Sequence, residues 1–206
     1  MPDLLPVFYL PNCPHCGAAD PTLSKQVSIG TVSMRERRNL YWVVYACNSC
    51  GGLVAGRGAS DGSPAEDYFP KPPTVSSDVP DQAGNYLTQA LSSKHAPAGC
   101  IMLCASAVDA MLKAHKITKG SLHARIDRAA KQHLITEGMA KWAHKVRLDA
   151  NEQRHADLKA TPPMQRDAEK SLKFALALAE FLFVLPAQVR DGISEEQQIS
   201  ETGGTT

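Results

Sequence analysis

The sequence predicts an α+β chain: a small β module at the N-terminus, followed by an all-α bundle of about five helices. Two CxxC pairs, Cys13/Cys16 in PNCPHCG and Cys47/Cys50 in ACNSCGG, stand thirty residues apart with strand-forming sequence between them. A stretch rich in Gly, Pro, Ser and Asp comes next, from Gly58 to Asp81. From Gln82 the apolar residues recur at helical spacing. The length of 206 residues suits one domain with a small module beside it, and 43% hydrophobic content is ordinary for a globular chain.

The cysteines carry the most specific chemistry. Each CxxC sets two thiolates on one tight turn, and two such turns supply the four soft ligands that tetrahedral zinc takes at about 2.3 Å. Gly17, Gly51 and Gly52 come directly after the pairs and allow the positive φ and close backbone approach that such turns need. The predicted metal ligands are therefore Cys13, Cys16, Cys47 and Cys50, and residues 1–58 read as a zinc ribbon. Four thiolates leave no open coordination position, so this zinc is structural and does not activate water. A redox CxxC is the competing reading, but it needs a thioredoxin-like βαβ context that the flanking sequence lacks. His15 is a spare ligand type in a site the cysteines already fill. Gln26–Arg35 and Leu40–Ala46 read as strands, the second rich in aromatic and β-branched residues, and Leu53–Ala55 as a short third. The RERRN segment between the long strands reads as an exposed basic hairpin tip.

Residues 59–81, with FPKPP and a closing DVPD, read as a Pro-rich linker that Tyr68 and Phe69 pin to one module. The bundle, 82–190, divides into helices at about 82–94, 97–115, 121–133, from Thr136 to Ala150 or beyond, and 164–185. Pro97 suits a first helical turn, and Ser121 and Thr136 suit caps. Pro162 and Pro163 break the chain, and Pro186 ends the last helix. Residues 191–206 are polar and read as a disordered tail. Cys100 and Cys104, one helical turn apart, read as small core residues. Asp109, amid apolar neighbours, needs a basic partner such as Arg125 or Arg147.

Net charge is +1, but residues 82–160 hold 12 basic and 6 acidic side chains. That excess suits a polyanionic partner, RNA or DNA, and equally a solvated helical surface. The N-terminus lacks a basic segment followed by an apolar one. The longest apolar stretch, Phe174–Leu185, is broken by Glu180 and falls short of the ~20 residues of a bilayer span. The expected location is the cytoplasm, without a membrane partner, where paired CxxC motifs read as metal sites and not disulfides.

A second constellation lies in HKVRLDANEQRHAD. His144, Arg147, Asn151 and His155 are spaced three, four and four apart. On an unbroken helix Arg147, Asn151 and His155 fall within about 80° of one another. These are the candidate catalytic residues: Arg as a forked donor to a phosphodiester, His as acid or base near neutral pH. In the structural reading, Asn151 and His155 bond the helix end and the arginines are solvated. The sequence contains no Gly-rich phosphate loop, Ser nucleophile elbow or HExxH.

FPKPP…VP, CIMLCASAVDAMLKAHKI, GSLHARID, VRLDANEQRHAD and FALALAEFLFVLP together resemble domain of unknown function 4145. This is an HEPN-like all-helical family often found near restriction and other defence genes. The resemblance covers roughly 65–190 and implies an HEPN-like bundle. Active HEPN ribonucleases use an Arg, four to six intervening residues and a His. They dimerise into a composite, metal-independent site that supports attack of a ribose 2′-OH on the adjacent phosphate. Carried over, the matching positions are Arg147, Asn151 and His155, although seven residues lie between Arg147 and His155. The resemblance implies a zinc-binding adaptor of a prokaryotic defence or nucleic-acid-related system, contacting nucleic acid or a protein partner as a homodimer. A dimeric HEPN-type ribonuclease and a structural subunit of a larger complex are the other readings.

Overall fold

A computed structural model describes the backbone of residues 1–155 and 161–202 and the side chains of residues 1–153 and 161–194. The chain divides into two units, Met1–Thr74 with Ser92–His95, and Val75–Leu91 with Ala96–Thr206.

The first unit is an antiparallel meander. Strands β1 (Val7–Phe8), β2 (Leu23–Ser33), β3 (Arg38–Cys47), β4 (Leu53–Gly58) and β5 (Ala65–Phe69) pair in sequential order. The β2–β3 hairpin runs from the Leu23↔Cys47 pair to Ser33↔Arg38. Its tip turns through Arg37, which has a positive φ of 51°. In β3 the period-2 alternation buries Val43, Tyr45 and Cys47 on one face. Phe8 stacks on Tyr45 with ring centroids 4.8 Å apart and meets Tyr68 edge-on at 6.0 Å. Leu4, Leu23 and Val54 complete this core.

Residues 59–81 are therefore not purely a linker. Ala65–Phe69 forms β5, paired Ala55↔Phe69 and Gly58↔Ala65, and the sheet unit extends beyond residue 58. The physical reason is apolar burial: Ala65 enters the core and Tyr68 packs against it. Pro70, Pro72 and Pro73 restrict the chain only beyond the end of the strand.

The second unit is helical: α1 (Asp81–Ser92), α2 (Pro97–Ala114), α3 (Leu122–Lys131), α4 (Glu137–His155), α5 (Gln165–Ala179) and α6 (Leu185–Thr202). A π turn at Glu180–Val184 joins α5 and α6 into one rod, so the described residues form five helical rods. α2 is central and touches α3, α4 and α5. Leu87, Ile101, Met111, Leu112, Ile126, Phe174 and Leu178 lie at the heart of the core. Cys100 and Cys104 are buried in it, with Cys100 Sγ 3.3 Å from the carbonyl oxygen of Ala90.

The helix starts obey local chemistry. Pro97 occupies the first turn of α2. Ser121 Oγ accepts from the Ala124 N–H at 3.3 Å, and Thr136 Oγ1 from the Met139 N–H at 3.2 Å. After Pro162 and Pro163, Asp167 accepts the Met164 N–H at 3.0 Å and fixes the start of α5.

Pro186 does not end the last helix, and the expected tail at 191–206 is helical as far as Thr202. The π turn explains this. The Leu185 N–H donates to the Glu180 carbonyl, one residue further back than in an α-helix, and the widened turn accommodates a residue that lacks an N–H. α2 and the rod Gln165–Ser194 are long and apolar enough for a bilayer span, and most of their buried residues belong to the helical core.

Candidate metal centre and helical cavity

The two CxxC turns of the sheet unit converge. The Sγ atoms of Cys13, Cys16, Cys47 and Cys50 all lie within 4.8 Å of one another, and those of Cys13 and Cys50 are 3.9 Å apart. A tetrahedron of thiolates about 2.3 Å from a metal has edges of about 3.8 Å, so this spacing fits a four-sulfur site. The knuckles repeat one backbone motif. The Gly17 N–H donates to the Cys13 carbonyl at 2.9 Å, and the Gly51 N–H to the Cys47 carbonyl at 2.8 Å. Both glycines have positive φ, 76° and 71°, as this closure requires. The Gly52 N–H points to Cys50 Sγ at 3.4 Å. His15 is not a ligand: its Nε2 sits 2.7 Å from the Leu53 carbonyl and ties the first knuckle to the start of β4.

The four thiols bear on one another's ionisation. Burial works against ionisation of Cys47, but the N–H groups of Cys50 and Ser49 and the adjoining thiols outweigh it and bring the thiol down to about 7. Lost hydration, then the thiols of Cys16 and Cys47, push Cys50 up to about 12, and burial raises Cys13. Thiols this close do not share several negative charges without a positive centre among them. The same unit includes buried Lys94, whose ammonium donates to the carbonyls of Pro14 and His15 in the first knuckle.

In the helical unit, α2, the N-terminus of α3 and α4 line an open cavity of about 340 Å³. Asp109, Ser121, His123, Arg125, Arg147 and Asn151 are among its walls. Asp109 does find a basic partner, and it is Arg125: Nε donates to Oδ1 at 2.7 Å and Nη2 lies 2.5 Å from the same oxygen. Arg125 Nη1 also donates to the carbonyls of Thr118 and Gly120, and Lys113 reaches Asp109 at 2.7 Å. That arginine is fully engaged in joining α2 to α3. Arg147 differs, because its Nε is buried with no hydrogen-bond partner among the described residues. Arg147 and Asn151 thus line one cavity, whereas His155 is the last residue of α4 and its side chain lies outside the described residues.

His144 joins a cluster that spacing along one helix does not reveal. Its Nε2 is 2.9 Å from Asp127 Oδ1, and His123 Nδ1 is 3.0 Å from Asp127 Oδ2. The two imidazole centroids are 4.6 Å apart. His144 holds the Asp127 carboxyl below its usual range. His123 and Asp127 are an i, i+4 pair, which is the one trace of the cluster in the sequence.

No curated protein and no solved structure matches this chain. A family model described as "Domain of unknown function (DUF4145)" matches residues 87–200, more than half of the chain and inclusive of the cavity walls on α2, α3 and α4. On that match the chain belongs to the DUF4145 family.

Proposed function

We propose that this chain is a zinc-stabilised nucleic-acid-binding module: a ribbon ordered by zinc, and an HEPN-like bundle that takes a phosphate of RNA or DNA into the α2–α3–α4 cavity. The observation that carries this reading is the buried Arg147 Nε, which lacks a partner among the described residues, in a residue that lines that cavity. A buried guanidinium N–H without an acceptor is costly, and an anionic oxygen relieves it with a charge-assisted bond. Asn151 adds an amide, and the first residues of α3 add a helix N-terminus to the same wall. The 12-to-6 excess of basic residues over 82–160 favours a polyanion over a small neutral ligand. Zinc is the metal favoured for the cysteines because four thiolates in a tetrahedral arrangement suit it. Its place there is structural.

Fluorescence anisotropy of the full chain with single-stranded RNA and DNA oligonucleotides tests the cavity. Arg147→Ala is expected to weaken binding by about 10- to 100-fold, the size of a lost charge-assisted hydrogen bond. It should also flatten the dependence of affinity on salt. Equal affinity and equal salt slope in both proteins would reject the cavity as the binding site. The same mixtures run on a gel address cleavage: RNA products that vanish with Arg147→Ala would move the reading to a ribonuclease.

A further inference from the structure

We infer that His123, Asp127 and His144 form a second metal site, for a divalent first-row transition ion, on the helical unit. The three ligand atoms lie within 4.8 Å of one another; His123 Nδ1 stands 3.0 Å from Asp127 Oδ2 and His144 Nε2 stands 2.9 Å from Asp127 Oδ1, so the two imidazoles meet different oxygens of one carboxylate. Ligands about 2.1 Å from one ion stand about 3.0 Å apart in octahedral geometry and about 3.4 Å apart in tetrahedral geometry. The two imidazoles thus converge on one carboxylate at separations of the size an ion imposes, with both carboxylate oxygens turned toward the site. The donor set narrows the ion. Two imidazoles and one carboxylate suit zinc, cobalt, nickel or ferrous iron, whereas magnesium and calcium take oxygen ligands.

His123 and Asp127 are one turn apart on α3, and His144 comes from α4. His123 is exposed, and Asp127 and His144 are partly buried, so an ion reaches the site from solvent. Three protein ligands leave coordination positions open, unlike the four-thiolate site. His123 also lines the cavity that holds Arg147 and Asn151. An ion here has an open side for water or an oxyanion, though its binding does not depend on the nucleic-acid reading. Coordination through His144 Nε2 puts the ring proton on Nδ1, which is buried without a partner among the described residues. That makes this site weaker than the cysteine site, and the two empty in sequence as a chelator is titrated.

The test uses the untagged full chain, stripped of metal and dialysed against cobalt(II). Wild type is expected to hold two equivalents. One should show the intense sulfur-to-cobalt charge transfer of a thiolate site, and the other only weak visible bands from nitrogen and oxygen ligands. His123→Ala and His144→Ala should each retain the thiolate bands and lose the second equivalent. Because His123 is exposed, His123→Ala leaves the helices intact, which far-UV circular dichroism checks. A single equivalent in wild type, carrying only the thiolate spectrum, would overturn the site. So would a second equivalent that persists in both variants.

Discussion

Gly52 governs how closely the two knuckles approach. A Cβ there would stand 2.5 Å from the His15 ring, and that ring is anchored on the Leu53 carbonyl. Gly52→Ala is expected to destabilise the metal-loaded sheet unit by about 1–3 kcal/mol, the usual cost of overpacking. Chemical denaturation monitored by tryptophan fluorescence measures it, since Trp42 lies on β3. Adding His15→Ala should recover part of the loss, because it removes the ring that clashes; purely additive losses would count against the contact. The four cysteines were legible in the sequence because a CxxC knuckle is local, its geometry set within a few residues of each thiolate. The His123–Asp127–His144 cluster was not, because it depends on the rotational phase of α3 against α4. Arg147 and Asn151 were legible as neighbours on one helix. That Arg125 already satisfies Asp109 while Arg147 Nε lacks a partner needed three helices in place.

Among the elements, β3 combines the strongest sequence signal with an internal cost. Its alternation places Tyr45 at the centre of the sheet core, fully buried, with a hydroxyl that has no hydrogen-bond partner among the described residues. Burial pushes that phenol up to about 12, above an unfolded value of about 10. Between these values the folded state holds a proton that the unfolded state has lost, so stability falls as pH rises through this window. Tyr45→Phe is expected to be neutral or stabilising by about 1 kcal/mol at neutral pH. It should also lessen the loss of stability between pH 10 and 12, as read from thermal melts across that range. A destabilised phenylalanine variant would mean that the hydroxyl has a role the core does not explain. Element starts were legible wherever a side chain or ring acts on its own turn, as at Pro97, Ser121 and Thr136. Element ends were less so. Pro186 looks like a terminator until the π turn before it supplies a wider helix, and a proline-rich stretch hid β5 until Ala65 and Tyr68 had a core to join.

At the scale of the whole molecule, the described residues form two hydrophobic cores that share no residue. They depend on metal to different degrees. The sheet core has eleven buried residues, of which Cys13, Cys16 and Cys47 belong to the four-cysteine cluster. Without a cation those three sulfurs and Cys50 become a crowded set of thiols in a unit too small to bury much surface otherwise. The helical core contains Cys100 and Cys104, but they belong to no four-cysteine group, and its long apolar rows on α2 and α5 need no ion. A structural zinc contributes on the order of 10 kcal/mol to a small domain, comparable to the whole stability of such a unit. Removing the proposed zinc with a strong chelator should therefore unfold the sheet and spare the bundle. In hydrogen exchange the amides of β2 and β3 would lose protection while those of α2 and α5 keep theirs, and most helical circular dichroism would remain. Cys47→Ser should reproduce this pattern without a chelator. Protection retained in β3 after the metal is gone would show that Phe8, Tyr45 and Tyr68 suffice for the fold. Equal loss in α2 would show that the two cores melt as one.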